Sequence, residues 1–179
     1  MYTLEQMPDL EEIKVLKHRY FRLMDTGQWD DLRPLFTKDI HVDFRGGTYR
    51  VRLDGCEDMI EFLSNSFHSG AATMHHGHMP EITITGRDAA EGIWYLDDIT
   101  IHLEDNMQTF GGAIYRDQYR RVDGAWKIAR TEYDRVIEVK SPLPAYLKVS
   151  FHHLAKVGRK PHERSDVSRF ITWTQKLSD

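Results

Sequence analysis

Met74-His75-His76-Gly77-His78-Met79-Pro80-Glu81-Ile82-Thr83-Ile84 is the stretch on which the reading of this chain turns. Three histidines in four residues stand at the entrance to sequence rich in Ile, Val, Thr, Tyr and Trp, and Trp94-Tyr95-Leu96-Asp97-Asp98 follows soon after. Residues 81–85, 92–103, 109–121 and 125–139 read as strands, and Val122-Asp123-Gly124-Ala125 reads as a hairpin, because Asp-Gly suits the left-handed backbone of a tight β-turn. Gly77 and Pro80 argue against a regular strand across the histidines themselves.

Upstream of that stretch the period changes. Leu10, Ile13, Leu16, Tyr20 and Leu23 recur three or four apart with Glu12, Lys14, Arg19 and Arg22 between them, which predicts an amphipathic helix. Asp9 and Glu12 have the spacing of a capping box, Pro8 is expected just outside, and Gly27 supplies the exit. A short helix is predicted over 29–36, strands over 40–44 and 48–53, and a third helix from Met59 to Phe67. Helices followed by antiparallel strands predict an α+β domain in which a curved sheet packs on helices and leaves a pocket on its concave side.

The 179 residues suit one domain, expected over residues 1–140, with an appendage over 141–179. A hydrophobic fraction of 40% and a charged fraction of 29% are those of a soluble protein. No apolar run approaches the roughly 20 residues of a membrane-spanning helix, and the start of the chain lacks the basic and apolar segments of a secretory signal, so a cytoplasmic location is expected. Residues 141–179 carry seven Lys/Arg against three Asp/Glu, whereas the preceding residues carry 17 against 25. That acidic body argues against nucleic acid as the partner, and the basic tail is expected to dock on its own body or on a neighbouring subunit. Pro142 and Pro144 end the last strand, and the aromatics beyond, from Tyr146 to Trp173, are too many for a solvated tail. Cys56 is the only cysteine and reads as a buried or inert thiol.

Imidazoles and carboxylates either hold metals or move protons near neutral pH, and the residues alone leave several uses open. Three imidazoles with a carboxylate satisfy zinc, iron or manganese in donor type; on a strand, however, His76 and His78 share a face and His75 points away. The histidines could equally bond backbone at a strand entrance. In a third reading one histidine takes a substrate proton while a carboxylate fixes its tautomer, with Asp25, Asp97 and Asp98 as candidates. Asp97 and Asp98 face opposite ways, and periodicity does not choose between them. Tyr20 lies on the apolar stripe, and Asp25 falls about 140° further around an ideal helix. Arg135 is either an outward ion pair or a group for a substrate carboxylate or oxyanion. A phosphate loop, a serine nucleophile elbow and paired cysteines are all missing from the sequence, so no nucleotide cofactor is expected.

Taken together, Tyr20-Phe21-Arg22-Leu23-Met24-Asp25, the stretch from Met74 to Ile84, Trp94 to Asp98, Gly111-Gly112-Ala113-Ile114-Tyr115 and Asp123 to Ile128 resemble SnoaL-like proteins of the nuclear transport factor 2-like superfamily, and within it lyases of the bile acid 7α-dehydratase and scytalone dehydratase type. The resemblance runs from Asp9 to Val139. It implies a cone-shaped curved antiparallel sheet wrapped around N-terminal helices, with an apolar cavity at the open end. It also implies catalytic roles for Tyr20, Asp25, His75, Asp98 and Arg135, substrate contacts from His78, Trp94 and Tyr115, and elimination without metal or other cofactor.

The expected activity is therefore dehydration of a hydrophobic cyclic or polycyclic substrate, steroid or polyketide-like, by a homotrimer or homodimer. His75 is the expected base, oriented by Asp25, and Tyr20, assisted by Asp98, the expected donor. Two alternatives share the fold: isomerisation of the ketosteroid type, and a non-catalytic role like that of ring-hydroxylating dioxygenase β subunits. His76 stands where the dehydratase type carries methionine, and the tail after Lys140 has no counterpart in the resemblance.

Overall fold

A computed structural model describes residues 3–174. Its first long element, α1 (Met7–Asp25), buries Leu10, Ile13, Leu16, Tyr20, Phe21, Leu23 and Met24 on one face. Each such large side chain removed from water stabilises the fold by roughly 1.5–3 kcal/mol. The helix begins three residues earlier than its sequence suggests, with Pro8 inside the first turn. Asp9 forms no capping box and instead accepts from Trp126 Nε1 at 3.2 Å and pairs with Arg121 on the far strands. Gly27, at φ 65°, ends the element as predicted.

A four-residue helix, α2 (Trp29–Leu32), passes into a 3-10 turn (Arg33–Leu35). Chain already committed to β1 (Phe36–Arg45) follows, so the predicted helix over 29–36 is cut short at Pro34. Then come β2 (Tyr49–Asp54), α3 (Cys56–Ser66), β3 (Ala71–Gly86), β4 (Ala89–His102), β5 (Met107–Val122) and β6 (Ala125–Pro142). A last short helix, α4 (Leu154–Val157), and a short strand, β7 (Ile171–Trp173), lie in the tail. The strands form one curved sheet in the order β3-β4-β5-β6-β1-β2-β7. Its neighbours are antiparallel except β1 and β6, which run parallel. The α+β class expected from the sequence is thus the class of the structure.

Contrary to the expectation from Gly77 and Pro80, β3 runs straight through the histidine cluster. The strand absorbs the awkward residues in a bulge: the pairing with β4 skips between His78 and Glu81, and Met79 takes φ 46°. A second bulge interrupts the β5–β6 ladder between Gly112 and Ala113.

The tail returns to its own body. Ser69 donates its amide to the Arg159 carbonyl at 3.1 Å, Arg164 forks onto Glu104 at 2.9 and 3.0 Å, and Arg169 reaches Glu61 at 2.7 Å. β7 then adds to the edge of β2, with Tyr49 opposite Trp173.

On the outer face, charged side chains tie β1, β2 and β6 together. Asp43 accepts from Arg50 at 2.6 and 2.7 Å and from Arg45 at 2.8 Å, while Arg45 also binds Glu132 at 3.2 Å. These bonds, that from Arg50 foremost, hold the Asp43 carboxyl down to about 2 from its ordinary 3.8. A lowered folded-state value means that the stabilisation is present above pH 4 and lost as pH falls toward 2. Asp43→Asn is therefore expected to cost about 1–3 kcal/mol at pH 7, with the gap to the native protein closing below pH 4. Urea unfolding at pH 7, 4 and 3 checks this; a gap that stays constant with pH would refute the assignment.

Candidate active site

Strand alternation turns His75 inward and sends Met74 and His76 outward. At the end of α1, the Asp25 carboxylate meets it from behind. Asp25 accepts three hydrogen bonds: His75 Nδ1 at 2.7 Å, the His75 backbone amide at 2.8 Å and the Thr73 hydroxyl at 2.9 Å. A carboxylate only accepts, so the Nδ1 contact assigns the proton to Nδ1 and leaves Nε2 with a free lone pair. The ring is held by packing as well. Phe21 stacks parallel to it at 6.3 Å between centroids, and Phe67 meets it edge-on at 5.2 Å. Gly77 makes room for that stack, since a Cβ there would stand 2.5 Å from Phe21 Cε2.

His75 forms part of the wall of a cavity of about 270 Å³. Phe44, Phe62, Phe67 and Trp173 supply apolar wall, and Tyr20, Asp98, Arg135 and Glu138 supply polar groups. Burial pushes the pKa of the Tyr20 phenol above its ordinary value, partly countered by the neighbouring Tyr115 hydroxyl, so Tyr20 stays protonated and can donate. Tyr49 and Tyr133 share a hydrogen bond of 2.6 Å between their hydroxyls.

At the other end Arg135 binds both oxygens of Asp98, one of them at 2.8 Å, and its Nε lies 3.1 Å from Glu138. Burial alone would lower the Arg135 value, but the Asp98 bonds and charge together with the neighbouring Tyr49 and Tyr133 outweigh it and hold the guanidinium charged. Residues 135 and 138 would face opposite sides of a regular strand. The bulge changes their parity: Val136 and Ile137 are both turned to solvent, and Arg135 and Glu138 both reach the cavity. Gly111 allows it, because a Cβ there would stand 2.2 Å from the Ile137 carbonyl oxygen.

Residues 5–132 match the SnoaL-like domain profile. The chain belongs to the SnoaL-like family. Its fold is the nuclear transport factor 2-like one, shared with a hexachlorocyclohexane dehydrochlorinase (LinA, type 2): 18% identity, TM-score 0.71, covering 83% of this chain and 99% of that one. A scytalone dehydratase-like protein of Novosphingobium aromaticivorans gives 18% identity and TM-score 0.67, over 80% of this chain and 97% of that one. A Mycobacterium tuberculosis protein of unknown function gives 19% identity and TM-score 0.63, over 96% of both chains. Identities this low speak for the fold alone.

In this SnoaL-like domain Tyr20, His75, Asp98, Arg135 and Tyr115 all line the cavity. Asp25 reaches it only through the His75 ring. Asp98, expected beside Tyr20, is bound instead to Arg135, and Tyr115 is the hydroxyl facing Tyr20. The geometry brings neither His78 nor Trp94 to the cavity. His78 is on the outer face, 44% exposed at its side chain and 3.3 Å from Asp97, because alternation from His75 sends it outward. Trp94 is buried in the core, where its Nε1 donates to the Tyr119 hydroxyl at 2.8 Å.

Sequence reasoning missed Glu138, Tyr49, Tyr133 and Trp173. Tyr133 was within reach of it, since it shares the face of Arg135 two residues on. So was Tyr49, which alternates with Val51 and Leu53 on β2, whereas Glu138 depends on a bulge and Trp173 on a late strand pairing that no local pattern announces. Among the described residues there is no group of three or more His, Cys, Asp or Glu side chains placed to hold a metal ion, and no helix is long and apolar enough to cross a membrane.

Proposed function

We propose that this SnoaL-like protein is a cofactor-independent lyase that removes water from a hydrophobic cyclic hydroxylated substrate. The observation that carries the reading is the His75–Asp25 pair, with Nδ1 tied to the carboxylate at 2.7 Å and the ring in the cavity wall. Nε2 removes a proton from carbon, and Asp25 stabilises the imidazolium that forms. Imidazole is too weak a base for an unactivated carbon, so a carbonyl or conjugated system next to that carbon must acidify it. Tyr20 donates to the developing oxyanion or to the departing hydroxyl. The abstracted proton returns from His75 to the leaving oxygen or to solvent, which restores the neutral base. The dehydrochlorinase and dehydratase names among the structural neighbours support an elimination.

A cavity of about 270 Å³ lies just below the roughly 300–1,000 Å³ typical of small-molecule sites. That size favours one or two rings over a four-ring steroid. The same reading makes the protein a cytoplasmic homodimer or homotrimer; Ile93, Tyr95, Ile99 and Phe110, exposed on the sheet's outer face, support an oligomer contact. Incubation with cyclic β-hydroxyketones of one and two rings, followed by mass spectrometry, tests the activity. Loss of one water from any of them is the expected result. A product of unchanged mass would move the assignment to isomerisation, and no product from the whole series would remove it.

A further inference from the structure

We propose that the far end of the cavity selects a substrate bearing an uncharged hydroxyl over one bearing a carboxylate, and that Glu138 sets this preference. The inference rests on the cavity being the substrate site. Arg135 would by itself suggest the opposite, since a guanidinium is the usual partner of a carboxylate. Here, though, the end of its fork is already taken by a buried carboxylate. Each terminal nitrogen gives one N–H to Asp98, and Glu138 Oε2 stands 3.1 Å from Nε without a regular hydrogen bond.

Two carboxylates therefore face one guanidinium, with side chains only 4%, 15% and 9% exposed for Asp98, Glu138 and Arg135. Water screens this surplus negative charge poorly at such depth. The remaining basic groups at this end do not cancel it. Lys140 is exposed at the rim, where solvent and salt screen its ammonium. His102 is neutral at pH 7, because burial pushes its value down.

A carboxylate entering this end either displaces Asp98 from the fork, leaving a buried anion without its partner, or takes the remaining terminal N–H groups as a third negative charge beside Asp98 and Glu138. A hydroxyl meets neither obstacle. Glu138 Oε2 is close to Arg135 Nε but poorly aligned with it, and this buried oxygen accepts no regular hydrogen bond. It is an acceptor suited to an incoming O–H or N–H.

The test is equilibrium binding, by calorimetry at pH 7, of three probes on the same two-ring frame: 2-naphthol, 2-naphthoate and 2-naphthylmethylammonium. The wild-type protein is expected to bind 2-naphthol at least tenfold more tightly than 2-naphthoate, and the ammonium no more weakly than the naphthol. Glu138→Gln removes one negative charge and should shrink the naphthol-to-naphthoate ratio at least tenfold. Equal or tighter binding of naphthoate by the wild type overturns the proposal, as does no binding of naphthol. So does a ratio left unchanged by Glu138→Gln. The wild-type order needs no variant, so the selectivity itself stays open to refutation even if Glu138→Gln does not fold. Binding is read without turnover and can be repeated in His75→Ala, so selectivity and elimination can each fail without the other.

Discussion

His75→Ala is expected to lower turnover of the water-eliminating reaction by about 10²–10⁴-fold, the usual contribution of a positioned general base, while the protein remains folded. The size of the effect follows from geometry. One of the three Asp25 hydrogen bonds goes to the His75 ring and presents Nε2, while the other two, from the residue 75 amide and the Thr73 hydroxyl, fasten α1 to β3 whether or not the ring is there. Removing the ring leaves Phe21 and Phe67 without their packing partner and shortens the wall of a cavity that already exists. The backbone amide of residue 75 still donates to Asp25, which keeps α1 attached to β3. Turnover by mass spectrometry and a circular dichroism melt on the same sample read the two effects separately. Near-normal turnover in a folded His75→Ala protein would sink the assignment of the base.

The largest expected effect on stability lies behind the site, at Lys17. Its ammonium is fully buried, 2.7 Å from an equally buried Asp117 and 3.7 Å above the centre of the Tyr115 ring. Burial pulls the lysine's value down and Asp117 pulls it back up. Asp117 is further held by the hydroxyls of Tyr119 and Thr131, each at 2.8 Å.

Lys17→Met keeps the volume and removes the charge, leaving a buried carboxylate with neutral donors only. Breaking a buried pair from one side costs about 3–5 kcal/mol. For a chain of this size that is a fall of roughly 6–20 °C in Tm, at about 2–4 °C per kcal/mol. Lys17→Met with Asp117→Asn should recover much of the loss, since neither charge is then stranded. A single variant that melts within a degree of wild type, or a double variant worse than the single, would contradict this account.

The elements legible in the sequence were those whose burial follows a simple period. The stripe from Leu10 to Leu23 located α1, and Asp123-Gly124 located the β5–β6 turn. Strand parity would set His75 apart from His76 and His78, but Gly77 and Pro80 argued against a strand there, so the resemblance and not the period singled His75 out. Lys17, by contrast, falls on the apolar face of α1, yet nothing near it in the chain reveals a partner a hundred residues away. Asp25 and His75 meet through a similar long-range approach, so only the family resemblance, not the spacing, joined them. Glu138 was hidden for another reason: a single extra residue, Val136, inverts the parity of everything after it on β6. Gly111, whose missing side chain allows that bulge, reads in sequence as a weak strand position.

The parallel ladder between β1 and β6 joins residues 36–45 to residues 128–134. As the chain is synthesised, β1 and β2 can pair almost at once, whereas the partner that links this hairpin to the rest of the sheet emerges about ninety residues later. Contacts so distant in sequence slow folding. The cavity straddles that seam, with Phe44, Tyr49 and Val51 on the early side and Tyr115, Tyr133 and Arg135 on the late side. A nascent chain stalled before β6 therefore carries the base and its carboxylate but has no enclosed chamber in which to use them.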